Sequence, residues 1–137
     1  MRLSKTTIAV IAGALAVGAF LLWRVMFAGP ASTEHIVAVN IPPLSFRAER
    51  GQDLFAANCA ACHGDNAGGT DQGPPLIHRI YEPNHHSDQA FLIAATQGTR
   101  AHHWGFGNMP PVEGVSQRQI ADIVAYVREV QQANGIF

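Results

Sequence analysis

Residues Phe55 to Gly69 read "FAANCAACHGDNAGG" and contain the only two cysteines in the chain. Cys59 and Cys62 stand three apart, and His63 follows the second directly. Four chemistries compete for such a pair. A disulfide would close a loop too small to remove much entropy from the unfolded chain. A tetrahedral zinc site needs four ligands, so it would have to recruit remote histidines, because no second cysteine pair exists. A thioredoxin-like redox pair calls for a βαβ context, and the neighbouring residues carry no strand pattern. The fourth chemistry is covalent haem attachment, for which C-x-x-C-H is the attachment sequence. Each position then has a mechanical reason. Residues three apart at a helix end project to nearly the same side. Two thiols so placed can bond two vinyl groups along one porphyrin edge, and the next imidazole is held within reach of the iron. The reading adopted is one covalently attached haem c, with Cys59 and Cys62 as the bonded residues and His63 as an iron ligand.

Outward from this motif, 137 residues suggest one compact domain plus an extra segment. Arg2 and Lys5 precede sixteen uncharged, almost wholly apolar residues, Ile8 to Trp23, and after Arg24 the run continues to Gly29. A cleaved secretory signal and a retained anchor both fit this outline. The anchor fits better: with Arg24 snorkelling outward the run reaches the ~20 residues that cross about 30 Å of hydrocarbon. The best cleavage site, near Gly29-Pro30-Ala31, is mediocre. Either way the basic end stays inside and the rest is exported. The expectation is a bacterial inner-membrane protein with its haem domain in the periplasm. The chain divides into an anchor or signal helix at 1–30, a linker at 31–46 and a haem domain at 47–137. The linker, "ASTEHIVAVNIPPLSF", is too apolar for a swinging tether. It lies against its own domain or packs on a partner subunit.

Beyond residue 30 the chain has six arginines and no lysine against ten acids, a net charge of −4. That excludes the basic stripe of a nucleic-acid binder. It also predicts weak long-range steering towards an acidic partner, with docking mainly apolar and short-range.

The pattern predicts helices and long loops with no convincing sheet. "RAERGQDLFAANCAACH" reads as one helix running into the cysteine pair. Residues 64–84 are a Gly/Pro-rich loop. Ser87 caps a short helix, "DQAFLIAATQ", that Gly98 ends. Ser116 and Gln119 form a capping box, and the stripe Ile120, Ile123, Val124, Val127, Val130 marks a helix on a core, ended at Asn134-Gly135. These faces are thin for a domain of this size, so a covalent staple is expected.

With these residues in view, the stretch from Ala48 to Gln132 resembles the class I, single-haem cytochromes c. Gly51 and Phe55 match the family's N-terminal helix, and Tyr126 matches the aromatic of the C-terminal helix that meets it. "GPPL", Gly73 to Leu76, matches the segment below the haem. The resemblance implies an all-α fold of three to four helices around one haem, with the N-terminal anchor helix in addition. It implies that the Pro74 carbonyl accepts the Nδ1 proton of His63, which fixes the ring so that Nε2 faces iron. It also implies that Met109, in "GFGNMPP", is the second axial ligand. Two histidine pairs, His85-His86 and His102-His103, offer a rival bis-histidine ligation or an accessory copper site. The bland alternative is surface histidines in polar loops. Trp104 roofs the pocket or shields a propionate.

The function expected is single-electron transfer by a membrane-tethered periplasmic cytochrome, not an enzyme, as a shuttle or as a fixed subunit of a respiratory or dehydrogenase complex. The donor would be a quinol-oxidising complex or a dehydrogenase, and the acceptor a terminal oxidase or reductase. The alternative is a haem enzyme or gas sensor whose Met109 detaches.

Overall fold

The computed structural model describes residues 4–27 and 35–137. Two units are present, Met1–Ser32 and Thr33–Phe137. In the first, α1 (Lys5–Phe27) presents Val10, Leu15, Phe20, Leu22 and Met26 on its surface. Among the described residues no helix is long and apolar enough to cross a membrane. The Gly29–Ala31 cleavage candidate lies outside the described residues.

The second unit is built from α2 (Phe46–Asn58), α3 (Ala60–His63), α4 (Asp88–Gln97) and α5 (Gln117–Ala133), with a 3₁₀ turn at Arg79–Tyr81. Among the described residues there is no strand, only an isolated antiparallel bridge between Thr99 and Met109. The all-α expectation therefore holds.

One expected helix is broken. α2 stops at Asn58, and Cys59 leaves helical geometry with φ −126° and ψ −31° before α3 resumes. The backbone bonds bridge this corner, since Cys59 donates to Phe55 and His63 donates back to the Cys59 carbonyl at 3.0 Å. Ala60 and His63 are thereby turned inward, while Cys62 is exposed.

The α2–α5 crossing organises the core. Gly51 of α2 lies against the backbone of Asp122 on α5, where an added Cβ would stand 2.0 Å from the Asp122 oxygen. One turn on, Phe55 and Tyr126 are both 0 % exposed and meet with ring centroids 5.5 Å apart. Ala48, Ile123, Val127 and Val130 complete the contact. The α5 capping box is formed: the Ser116 hydroxyl accepts from Gln119 N–H, and the Gln119 side chain accepts from Ser116 N–H at 2.9 Å. At α4, Ser87 occupies the cap position but its side chain makes no capping bond.

The Asp122 carboxylate ties the crossing from outside, accepting from Arg47 Nε at 2.8 Å and Arg50 at 3.0 Å. The Arg47 guanidinium first, then Arg50, hold its pKa below the ordinary 3.8. A depressed acid stabilises the fold fully above its unfolded pKa, and loses that contribution as pH falls through the folded value. The denaturant midpoint should therefore drop as the pH is lowered below 3.8. Asp122→Asn should lose part of that pH dependence while starting from a lower midpoint.

The segment named as a linker is, over its described part, laid along its own domain. Val37 N–H donates to the Gly68 carbonyl at 2.8 Å, and the His35 ring meets the Thr70 carbonyl at 2.6 Å. Asn40 and Asn134 exchange two bonds of 2.9 and 2.8 Å. Val37, Val39, Ile41 and Leu44 pack on the core. Its alternation of apolar residues serves this packing rather than a sheet.

Candidate functional site

The corner at Cys59, the loop after α3, α4 and the 98–112 segment enclose a cavity of about 380 Å³. Its walls are largely apolar, with Phe55, Leu76, Phe91, Ile120, Ile123 and Val124 among them. Cys59, His63, Pro74 and Met109 all line it. Cys62 does not, and stands outside on α3.

His63 is buried, and its Nδ1 lies 2.8 Å from the Pro74 carbonyl. A carbonyl can only accept, so Nδ1 carries the proton and Nε2 is left with a free lone pair. Burial lowers the His63 pKa, outweighing the Pro74 bond that raises it, so the imidazole is neutral and fit to ligate. Proline lacks an N–H, but the contact uses only its carbonyl. The loop that carries Pro74 is held close beneath α3: a Cβ on Gly73 would stand 2.9 Å from the Cys62 carbonyl oxygen.

Cys59 and Cys62 form no disulfide with each other. Burial, and then the neighbouring Cys62, push the Cys59 thiol up to about 11, the opposite of the shift a redox nucleophile needs.

Met109 is fixed through its backbone. It exchanges two hydrogen bonds of 2.9 Å with Thr99, and Gly98 backs against its carbonyl. Gly98 has φ +76°, and a Cβ there would lie 2.6 Å from the Met109 oxygen. We expect Gly98→Ala to cost roughly 2 kcal/mol or more, from the left-handed backbone and the overlap together. The denaturant midpoint should fall, and any spectral signature of Met109 ligation should weaken with it.

Two polar residues missed in the sequence hold the cavity's outer wall. Gln131 is 0 % exposed and donates to the carbonyls of Leu76 and Tyr81 at 2.8 and 3.1 Å. Arg128 binds Asp88 at 2.8 Å, the Tyr81 carbonyl, the His86 carbonyl and Gln131, with its guanidinium 4.9 Å from the centre of the Phe91 ring. Both sit four residues beyond apolar members of the α5 stripe, Val124 and Val127, and that spacing was a usable signal.

Trp104 also lines the cavity, with Nε1 buried and no hydrogen-bond acceptor at bonding distance among the described residues. An apolar chamber in the size range of cofactor sites, a neutral imidazole, a thioether and a buried N–H donor together suit a haem.

The comparisons with known proteins agree. A family model for cytochrome c matches residues 48–131. The chain belongs to the cytochrome c family. This cytochrome carries covalently bound haem c, one group per chain. It is 41 % identical over 71 residues to the cbb3-type cytochrome c oxidase subunit FixP of Bradyrhizobium sp. (strain ORS 278). That match covers 50 % of this chain and 22 % of the relative. No solved structure matches the chain.

Proposed function

We propose that this cytochrome carries single electrons through a haem bonded to Cys59 and Cys62, with His63 and Met109 as axial ligands. The observation that carries the reading is the pairing around one cavity: His63, its Nδ1 engaged by Pro74 at 2.8 Å, and Met109, pinned by Thr99. When bound, the haem supplies one reversible one-electron couple. The chain's own residues do the rest. Pro74 orients His63, the Thr99 bridge holds the thioether in place, and the walls of α4 and α5 keep water out. Residues held this firmly by Pro74 and Thr99 would limit rearrangement when the haem changes charge.

We further propose that it acts in the periplasm, held at the bacterial inner membrane by its N-terminal segment, as a carrier rather than an enzyme. The exposed apolar side chains of α1 and the uncharged run Ile8 to Trp23 support the tether. The FixP relative is a subunit of a cbb3-type oxidase, which supports a place in a respiratory complex. On this reading the donor is a quinol-oxidising complex or dehydrogenase, and the acceptor a terminal oxidase or reductase. Docking to them is short-range and apolar, so the electron-transfer rate should change little with added salt.

Anaerobic redox titration with optical spectra tests the core of this reading. One reversible wave and a red methionine-to-iron band in the oxidised protein are expected. A bis-imidazole spectrum, or rapid carbon monoxide binding by the reduced form, would overturn it.

A further inference from the structure

The two histidine pairs, seventeen residues apart in sequence, converge into one cluster at the rim of the cavity. His85 and His86 lie on the turn before α4; His102 and His103 lie on the segment that carries Met109. His85 Nε2 and His103 Nε2 are 3.2 Å apart, and one ring nitrogen from each of His85, His86 and His103 falls within 4.8 Å of the other two. The ring of His102 stands 4.2 Å from His103 and is stacked on His86 at 5.7 Å.

We propose that His85, His86 and His103 form a binding site for a divalent transition-metal ion, zinc or copper, separate from the haem iron. Two nitrogens each bonded at about 2.0–2.1 Å to a tetrahedral ion stand roughly 3.3–3.4 Å apart. The His85–His103 separation already matches that edge. The third ligand is oriented in advance: His86 Nδ1 meets the Ile80 carbonyl at 2.7 Å, so it holds the proton and Nε2 is free. His102 Nδ1 is engaged 2.7 Å from the Arg100 carbonyl and its ring lies outside this group, so a water completes the fourth position.

The chemistry of the set is selective. Imidazoles without a carboxylate suit zinc and copper and disfavour magnesium and calcium. A bound ion would join the turn before α4 to the Met109 segment, which are otherwise linked there mainly by ring contacts.

The haem spectrum separates the two readings: a methionine-to-iron band with no metal binding would count against this site alone, whereas a bis-imidazole spectrum would count against Met109 and place one of these histidines on the iron. Zinc sulfate or copper sulfate alone is titrated into the haem-loaded protein and followed by calorimetry, with the haem spectrum as a check on folding. One equivalent of metal should bind, copper tighter than zinc. His85→Gln and His103→Gln should each weaken binding at least about tenfold, whereas His78→Gln should leave it unchanged. Zinc X-ray absorption should show a nitrogen shell at about 2.0 Å. The melting temperature of the native chain, but not of the His85→Gln/His103→Gln double variant, should rise with metal. No saturable binding, or binding undiminished in the double variant, would mean that the 3.2 Å contact is only an imidazole–imidazole hydrogen bond.

Discussion

Gly51→Val should abolish the folded haem domain or leave it severely destabilised. Any side chain at this position begins with a Cβ 2.0 Å from the Asp122 carbonyl oxygen and 2.6 Å from its carbon. Those are backbone atoms inside α5, so no rotamer change relieves the overlap and the two helices must separate. Separation takes Phe55 off Tyr126 and strips Asp122 from Arg47 and Arg50. Overpacking in cores costs typically 1–3 kcal/mol, and a clash with backbone that moves a helix sits at or above the top of that range, about 3 kcal/mol or more. A protein of marginal stability loses much of its folded population to such a change. Gly105 is the control: nothing lies within 4 Å of its added Cβ, and Gly105→Ala should leave the denaturant midpoint nearly unchanged. Haem retention and the midpoint, measured on both variants, decide the matter. A Gly51→Val protein with an unaltered midpoint would mean that α2 and α5 do not cross as described.

Met109→Ala should leave the haem attached and the domain folded while altering the iron's electronic properties. Attachment on the proposed reading runs through Cys59 and Cys62, and the Met109 backbone bonds to Thr99 survive the substitution. What is lost is the thioether at the cavity wall. The red charge-transfer band should vanish and the reduced form should begin to bind carbon monoxide. The potential should fall by a sizeable part, on the order of a few tenths of a volt, of the ~0.8 V range that axial ligands command. Met109→His is the informative companion, because an imidazole donates more to iron and should lower the potential while keeping carbon monoxide out. A variant with an unchanged spectrum would remove Met109 from the iron and direct attention to the nearby histidines, of which His86, His102 and His103 also line the cavity.

Much of this was readable from local chemistry. Cys59, Cys62 and His63 announce their purpose within five residues, and Ser116 with Gln119 marks the start of α5 without reference to anything else. The Gly51–Phe55–Tyr126 crossing followed from family resemblance, because one glycine among thirteen carries no local sign of a close helix contact. Three features needed the tertiary structure. The turn at Cys59 is set by packing, which draws Ala60 and His63 inward against the propensity of alanine to continue α2. The 35–45 segment had two equal destinations on paper, and only Gly68, Thr70 and Asn134 decide between them. The histidine pairs were visible as pairs, but no periodicity relates residue 85 to residue 103. Their meeting depends on how the loops on either side of α4 return to the same rim.

The reciprocal amide contact between Asn40 and Asn134 has a mechanical consequence. In most domains the two ends of the chain fray first. Here the start of the domain is buttoned to the end of α5, so neither can peel away alone, and both should exchange their amide hydrogens slowly. Breathing is then displaced to the stretch 100–108, which is largely exposed and leans on rings such as His35 and Phe106 more than on backbone bonds. That stretch leads into Met109, so the door to the interior and the residue behind it share one hinge.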